Sequence, residues 1–388
     1  IPPAPTVTPA GPVIVCEGSA NIVLTSDAAT GNQWYKDGSP IGGATATTLN
    51  ITTAPANSGS YTVISTVSSC SSAVSNAVAV TINALPLTTP VVAPATTTIC
   101  SGSTVTVNIA GSQAGINYEL FDGVTSLSSP VAGTGGAINI VTSALTANTT
   151  ITVRATNPTT LCTVLLSGTS VVTVTPIPPA PNVTPAGPVI VCEGSANIVL
   201  TSDAATGNQW YKDGSPIGGA TATTLNITTT PANSGSYTVI STVSSCSSAV
   251  SNAVAITINA LPLTTPVVAP ATTTICSGST VTVNIAGSQA GINYELFDGV
   301  TSLSSPVAGT GGAINIISTP LTANTTITIR ATNPTTLCTV LLSGTSVVTV
   351  TPIPPAPTVT PAGPVIVCEG SANIVLTSDA ATGNQWYK

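Results

Sequence analysis

Apolar residues seldom run together in this chain. Val, Ile and Ala alternate with Thr and Ser in short stretches broken by Gly, Pro, Asn and Asp. A period of two puts apolar side chains on one face of a strand and polar ones on the other. Stretches such as Asn21-Ile22-Val23-Leu24-Thr25, Tyr61-Thr62-Val63-Ile64-Ser65 and Thr104-Val105-Thr106-Val107-Asn108-Ile109 therefore predict half-buried β-strands. No stretch shows the 3.6-residue period of an amphipathic helix. No apolar run approaches the roughly 18 residues a membrane span needs. With 32 Pro and 33 Gly to supply turns, the pattern predicts an all-β chain of short strands.

The pattern repeats every 176 residues. Ile1-Pro2-Pro3-Ala4-Pro5 returns as Ile177-Pro178-Pro179-Ala180-Pro181 and again as Ile353-Pro354-Pro355-Ala356-Pro357, and residues 1–176 differ from 177–352 at eight positions. Most differences are mild, such as Val80 to Ile256 and Val153 to Ile329; the boldest is Ala144 to Pro320. The third copy stops at Trp386-Tyr387-Lys388, in mid-repeat, and the sequence reads as a window onto a longer periodic polymer. A catalyst needs one good site, whereas near-identical units in series supply length or multivalency.

Each repeat divides again. Cys16-Glu17-Gly18-Ser19 precedes Gln33-Trp34-Tyr35-Lys36-Asp37-Gly38, and Cys100-Ser101-Gly102-Ser103 precedes Asn117-Tyr118-Glu119-Leu120-Phe121-Asp122-Gly123. Cys16 to Trp34 and Cys100 to Tyr118 are both steps of 18, and both stretches end in Asp-Gly, a pair that supplies positive φ for a hairpin turn. The expected organisation is two diverged copies of one fold, A and B, in tandem. Domain A covers 1–84 and 177–260, domain B covers 85–176 and 261–352, and 353–388 is a truncated A. About 85–90 residues with some seven short strands predict an immunoglobulin-like β-sandwich. Trp34 and Trp210 are its expected core aromatics near a disulfide, Tyr61 and Tyr237 its tyrosine corners, and Tyr118 and Tyr294 the aromatics that replace Trp in B. Proline-rich linkers (Leu85-Pro86-Leu87-Thr88-Thr89-Pro90 and Thr175-Pro176-Ile177-Pro178-Pro179-Ala180-Pro181) favour extended backbone, hence an extended rod.

Nine cysteines stand at Cys16, Cys70, Cys100, Cys162, Cys192, Cys246, Cys276, Cys338 and Cys368. They are too dispersed for a metal centre, and there is no His, so disulfides and an oxidising, extracytoplasmic compartment are expected. The domain division suggests Cys16–Cys70, Cys100–Cys162, Cys192–Cys246 and Cys276–Cys338, leaving the partner of Cys368 beyond the chain end. Antibody domains place their second cysteine two residues after the corner Tyr, where this chain has Val63, so the bridge is expected to run from an early strand to the turn between the last two strands.

Charge removes further classes. With 5 Lys+Arg against 12 Asp+Glu the net charge is −7, and no basic footprint for nucleic acid or anionic lipid exists. Absence of His excludes His-based triads and imidazole catalysis. Glu17, Asp27, Asp37, Glu119 and Asp122 are too scattered to commit as a glycosidase pair and form no calcium-loop motif. Lys36 could serve an isopeptide cross-link only in A, because B has no Lys. Tyr35 is expected to face outward, where it could stack on sugar. No catalytic, cofactor or metal site is therefore assigned.

Cys-x-Gly before the second strand, Trp-Tyr-Lys-Asp-Gly, Ser-Gly-Ser-Tyr-Thr-Val and a late Cys before a Val/Thr-rich strand together resemble the Ig-like repeats of giant secreted surface adhesins of the Bacteroidota. These include gliding-motility adhesins of the SprB type, exported by type 9 secretion. The resemblance implies an extracellular, cell-surface, non-enzymatic stalk that mediates attachment or gliding. Its expected partners are surface polysaccharide, a solid surface or other cells. The competing expectations are a self-assembling extracellular filament, favoured by the low charge, and an accessory Ig-like array of a secreted polysaccharide-active enzyme.

Overall fold

The computed structural model describes residues 1–388 and contains β-strands with two short 3-10 turns. The first A sandwich is built from β1 (Val7–Thr8), β2 (Val13–Cys16), β3 (Ile22–Ser26), β4 (Asn32–Lys36), β5 (Ser39–Pro40), β6 (Thr48–Ile51), β7 (Gly59–Val67), β8 (Cys70–Ser71) and β9 (Val78–Asn83). One sheet has the order β1-β3-β6; the other runs β2-β9-β7-β4-β5, with β8 folded back on β7. Strand β2 pairs parallel to β9, whereas β7 pairs antiparallel to both β4 and β9. The fold is an immunoglobulin-like sandwich, and its copies form a tandem array of two diverged types per 176-residue repeat.

Alternation explains the core. β3 buries Ile22, Leu24 and Ser26 and exposes the residues between them. They meet Trp34, Tyr61, Val63, Val78 and Val80 across the sandwich. Trp34 is fully buried, and its indole N–H donates to the Ala46 carbonyl at 2.9 Å, so the bulkiest side chain of this core leaves no polar atom unpaired. The Tyr61 hydroxyl donates to the Asn57 carbonyl at 2.7 Å, the contact that defines a tyrosine corner. Asp37 and Gly38 have φ of 51° and 79° and join Lys36 to Ser39 in a two-residue hairpin.

The B sandwich comprises β10 (Val91–Ala93), β11 (Thr96–Cys100), β12 (Thr106–Ala110), β13 (Asn117–Phe121), β14 (Val131–Ala132), β15 (Ile138–Val141), β16 (Thr149–Thr156) and β17 (Thr163–Thr175). Its sheets are β10-β12-β15 and β11-β17-β16-β13-β14, again with a parallel pair, β11 with β17. Tyr118 is fully buried, and its hydroxyl accepts from the Gln113 amide at 2.8 Å. Here Asp122-Gly123 does not close a two-residue hairpin. The turn widens until Phe121 bridges Ser126, and the Asp122 carboxylate accepts from the Thr125 amide.

Both sandwiches recur in the second repeat, where Trp210, Tyr237 and Tyr294 are buried like their counterparts. Residues 353–388 keep only Val359–Thr360 paired with Thr377–Ser378, and Trp386 is 49 % exposed. Contacts gather the chain into two compact units. One is Ile1–Pro181 with Ile240–Val250; the other is Asn182–Val239 with Ser251–Lys388. No helix of the chain is long and apolar enough to cross a membrane.

Candidate functional site: disulfide junctions between successive sandwiches

The structure overturns the expected cysteine pairing. Cys16 bonds Cys162, Cys100 bonds Cys246 and Cys192 bonds Cys338, each across 146 residues of sequence. Cys70, Cys276 and Cys368 are exposed free thiols. So none of Cys16–Cys70, Cys100–Cys162, Cys192–Cys246 or Cys276–Cys338 forms, and every bridge joins one sandwich to the next.

Strand direction is the reason. Cys16 ends β2 and, because β2 runs parallel to β9, stands level with Asn83 at the end where the chain leaves the sandwich. Cys70 follows the far end of β7, whose other end, Gly59, pairs with Val80. The nine residues of β7 rise about 3.3 Å each, so the two cysteines are separated by roughly 25 Å or more along the sheet. A disulfide needs Cα atoms within about 7 Å. In B the same holds: Cys100 is level with Thr175, while Cys162 lies beyond the opposite end of β16 and β17, where Thr156 meets Thr163. An early-strand cysteine at the exit pole can therefore reach only the entry-pole cysteine of the following sandwich. It follows too that the bridge lies away from the Trp34 core, whose buried members include no cysteine.

At the junction from A to B, the Cα atoms of Cys16 and Cys162 are 5.6 Å apart. Cys162 is fully buried, with its Sγ 4.0 Å from the Asn83 carbonyl oxygen. Its loop is shaped by Asn157, whose side-chain oxygen accepts from the Thr159 and Thr160 amides at 3.0 and 3.2 Å, while the Asn157 amide donates to the Cys162 carbonyl. The linker is held from both sides. The Leu85 amide donates to Glu17 of A at 3.3 Å and the Leu87 amide to Gln113 of B at 3.0 Å. Buried Pro86 and Pro90 complete it. The second repeat reproduces the junction with Leu261 on Glu193 and Leu263 on Gln289.

The junction from B to A uses a hairpin. Val243 pairs with Cys246 around Ser244 and Ser245, whose φ values are 48° and 66°. Cys246 is 2 % exposed, its Cα is 5.5 Å from that of Cys100, and the Cys100 Sγ lies 3.9 Å from the Ser245 carbonyl oxygen. The base of the equivalent hairpin in the first copy packs on Gly31, which accepts from the Thr66 amide. A Cβ at Gly31 would stand 2.1 Å from the Thr66 carbonyl oxygen. Beyond the hairpin, serines replace the missing strand ladder: Ser72 Oγ accepts from the Ser65 amide and Ser75 Oγ from the Val63 amide. Asn76 in turn pairs both its side-chain groups with the Val7 backbone. The serine-rich run around Cys70 thus has a structural task that sequence reading missed.

The carboxylates are occupied locally. Asp27 accepts from the Thr6 amide, Asp37 from the Ser60 amide, and Glu119 from Ser126 and, at 3.0 Å, from Arg154, whose guanidinium sits 3.8 Å from the centre of the Phe121 ring. Lys36 donates to the Ala56 carbonyl at 2.5 Å. Tyr35 is half-buried beside it on β4. No three His, Cys, Asp or Glu side chains gather where a metal could sit. Burial, followed by the charge of Asp37, raises the pKa of Tyr61 above the usual phenol value, and Tyr237 behaves alike beside Asp213.

The sequence matches no family model and no curated protein. Among solved structures, this chain is similar to titin domains I67–I69, at 13 % identity and TM-score 0.39, covering 68 % of this chain and 96 % of that one. It is also similar to Sidekick-1 immunoglobulin domains 1–5, at 14 % identity and TM-score 0.25, covering 90 % and 81 %. The N-terminal eight Ig domains of Down Syndrome Cell Adhesion Molecule match at 14 % identity and TM-score 0.29, covering 89 % and 54 %.

Proposed function

We propose that this chain is the repetitive, non-enzymatic stalk of a long extracellular surface filament that mediates attachment or gliding, with domain boundaries at 84/85, 176/177, 260/261 and 352/353. The constant 146-residue bridge between neighbours carries the reading. Disulfides persist in an oxidising compartment outside the cytoplasm, and a surface polysaccharide, a solid surface or another cell would be the far-end partner. Avidity across repeats supplies attachment strength that no single domain needs to provide.

The bridges give the stalk a definite mechanics. Under tension, force enters at Cys16, crosses to Cys162, follows the backbone to Cys192 and crosses to Cys338, so all residues between bonded cysteines are bypassed. Cys162 and Cys192 are 30 residues apart. At about 3.5 Å per extended residue, a bridged repeat that has wholly unfolded yields about 100 Å, against about 600 Å without bridges. Cys100–Cys246 begins a second series offset from the first, so opening one bridge leaves the other path closed. Such a stalk transmits load with little extension even when individual sandwiches melt.

Single-molecule stretching of the chain held at its two ends tests this. The expected record is a fully stretched length near 100 Å per repeat in oxidising buffer and near 600 Å after reduction. Equal extension in both buffers would overturn the stalk reading. A stretched length near 200 Å would mean that bridges close within single domains, leaving about 60 free residues per repeat.

A further inference from the structure

Each sandwich ends its smaller sheet on a bare strand, β6 in A and β15 in B. The other edge strands, β1, β2, β5, β10, β11 and β14, each contain a proline or lie within two residues of one. Proline there guards an edge against pairing with another chain. Neither β6 nor β15 has that guard, and neither carries a charged residue. We propose that β15 pairs antiparallel with β15 of a second copy of this chain, about a two-fold axis at Asn139, so that two B sandwiches join side by side through one continuous sheet. The proposal goes beyond the stalk reading: it gives the stalk a lateral partner, whatever the stalk itself attaches to.

The edge is free where the pairing needs it. The Thr142 amide donates to the Val105 carbonyl, in the register that sets Ile140 opposite Val107 and Ile138 opposite Ile109. Alternate residues of an antiparallel strand bond to one neighbour, so the main-chain groups of Asn139 and Val141 point away from β12. Pairing Asn139 with its own copy sets Val141 opposite Ala137 of the second copy. All three residues are exposed, Val141 at 52 %. The two-fold then closes about six main-chain hydrogen bonds. A side-chain ladder runs out to the same edge. Asn108 Nδ2 donates to Asn139 Oδ1 at 2.8 Å, which leaves the Asn139 Nδ2 to donate to the next Asn139. The second repeat keeps the arrangement, with Asn284 donating to Asn315 at 2.9 Å and Ile317, in place of Val141, 61 % exposed. Pro320 stands past Thr319, whose amide already bonds the Leu303 carbonyl, so it leaves this edge open.

The A edge fails the same requirement. The Ser26 amide donates to the Thr47 carbonyl in register with Leu24 and Leu49, so Thr48 and Asn50 are the outward residues of β6. A two-fold at Asn50 would set Thr48 against Thr52. The Thr52 carbonyl, however, already accepts from the Ala54 amide at 2.9 Å and from Asn57 Nδ2 at 2.8 Å. Asn50 also stands beside Val23, so no amide ladder reaches this edge. A second copy is the occupant that fits β15, because the outward groups are self-complementary about Asn139. The sparse charge of the chain, −7 over 388 residues, offers little repulsion between copies.

Sedimentation equilibrium of the chain of residues 1–388 tests this, with its exposed thiols alkylated so that no new disulfide contributes. The expected record is reversible self-association that persists in high salt, because the contact is made by neutral groups. Asn139→Pro combined with Asn315→Pro removes the outward amides, and an edge strand tolerates proline where its N–H faces solvent. This double variant is expected to weaken association by roughly a hundredfold, since the loss recurs at both B sandwiches. Val141→Lys with Ile317→Lys reaches the same end through like charges on the edge and should act in the same direction. Asn50→Pro with Asn226→Pro, on the A edge, should leave association unchanged. Thermal melting of each variant checks that it folds. A chain that stays monomeric at millimolar concentration would overturn the proposal. So would association that survives both B-edge variants, or that the A-edge variant abolishes equally. None of these outcomes bears on the stretching record, which reads single chains held at their ends.

Discussion

The hairpins around Cys70 and Cys246 have the same sequence, from Val67 to Ser71 and from Val243 to Ser247, and the same turn. One presents an exposed thiol; the other is buried in a disulfide to the preceding sandwich. Their sandwiches differ only at Thr6/Asn182, Ala54/Thr230 and Val80/Ile256, none of them in the hairpin. Cys246 is buried where it meets Cys100 of the preceding B sandwich. The covalent framework of this chain therefore belongs to junctions, and a single sandwich lifted out of the array would carry two thiols at opposite poles, too far apart to meet.

Removing each thiol in turn separates the two hairpins most strongly. Cys246→Ser opens a closed loop of 146 residues, for which the chain-entropy treatment gives about 5 kcal/mol as an upper bound. Cys70→Ser removes an exposed, unbonded group and is expected to change stability by no more than about 0.5 kcal/mol. Denaturant unfolding of both variants measures the contrast. Equal losses would mean that the hairpin is stabilised from within its own sandwich.

How far the sequence foretold this arrangement can be judged at particular residues. Strand alternation, Trp34, the Tyr61 corner and the Asp37-Gly38 turn are all local, and each was legible because its cause lies within a few positions of it. The cysteine partners were not legible, since they depend on which pole of the sandwich each residue occupies. One signal was present: Cys70 lies nine positions past Tyr61, far enough to carry it beyond the end of the strand. The parallel course of β2 beside β9, which places Cys16 at the other pole, left no mark in the hydrophobic pattern. In B the Asp122-Gly123 pair misled for a related reason. The pair has the composition of a tight turn, but Asp122 uses its carboxylate on Thr125 and the turn widens.

Two smaller changes sharpen the contrast. Replacing Ser68 with Asn and Ser69 with Gly relieves two side chains held at positive φ and is expected to stabilise the first hairpin by about 1 kcal/mol. The same pair of changes at Ser244 and Ser245 should give the same gain if the bridge merely captures a preformed turn, and a smaller one if the bridge enforces it. Thermal unfolding of the two double variants decides. At the other junction, Asn157→Ala deprives the Thr159 and Thr160 amides of their acceptor in the loop that carries Cys162. The expected cost is about 1 kcal/mol, read in the same assay, with the Cys16–Cys162 bridge still formed on a peptide map.

The smallest effect is a control on the whole comparison, because it should not distinguish the two hairpins. Tyr61 and Tyr237 sit at the start of their strands, away from the cysteine turns, and each donates to a carbonyl four residues upstream. Burial and then the nearby Asp37 or Asp213 raise both phenol pKa values above 10.0. A folded-state pKa above the unfolded one means that the folded protein holds its proton longer. The associated stability is complete below pH 10 and is lost as pH rises through the folded value. With no His in the chain, few groups titrate between about pH 5 and 8, so melting temperature should be level there and fall only in the alkaline range. Tyr61→Phe removes one titrating phenol along with its bond to Asn57 and should shrink the alkaline fall. The Tyr237→Phe variant should shrink it equally, although the hairpin of its sandwich is bonded and that of Tyr61 is free. Unequal changes would show that the junction reaches through the sandwich to its opposite pole, and the two hairpins could then no longer be treated as local switches on nearly identical domains.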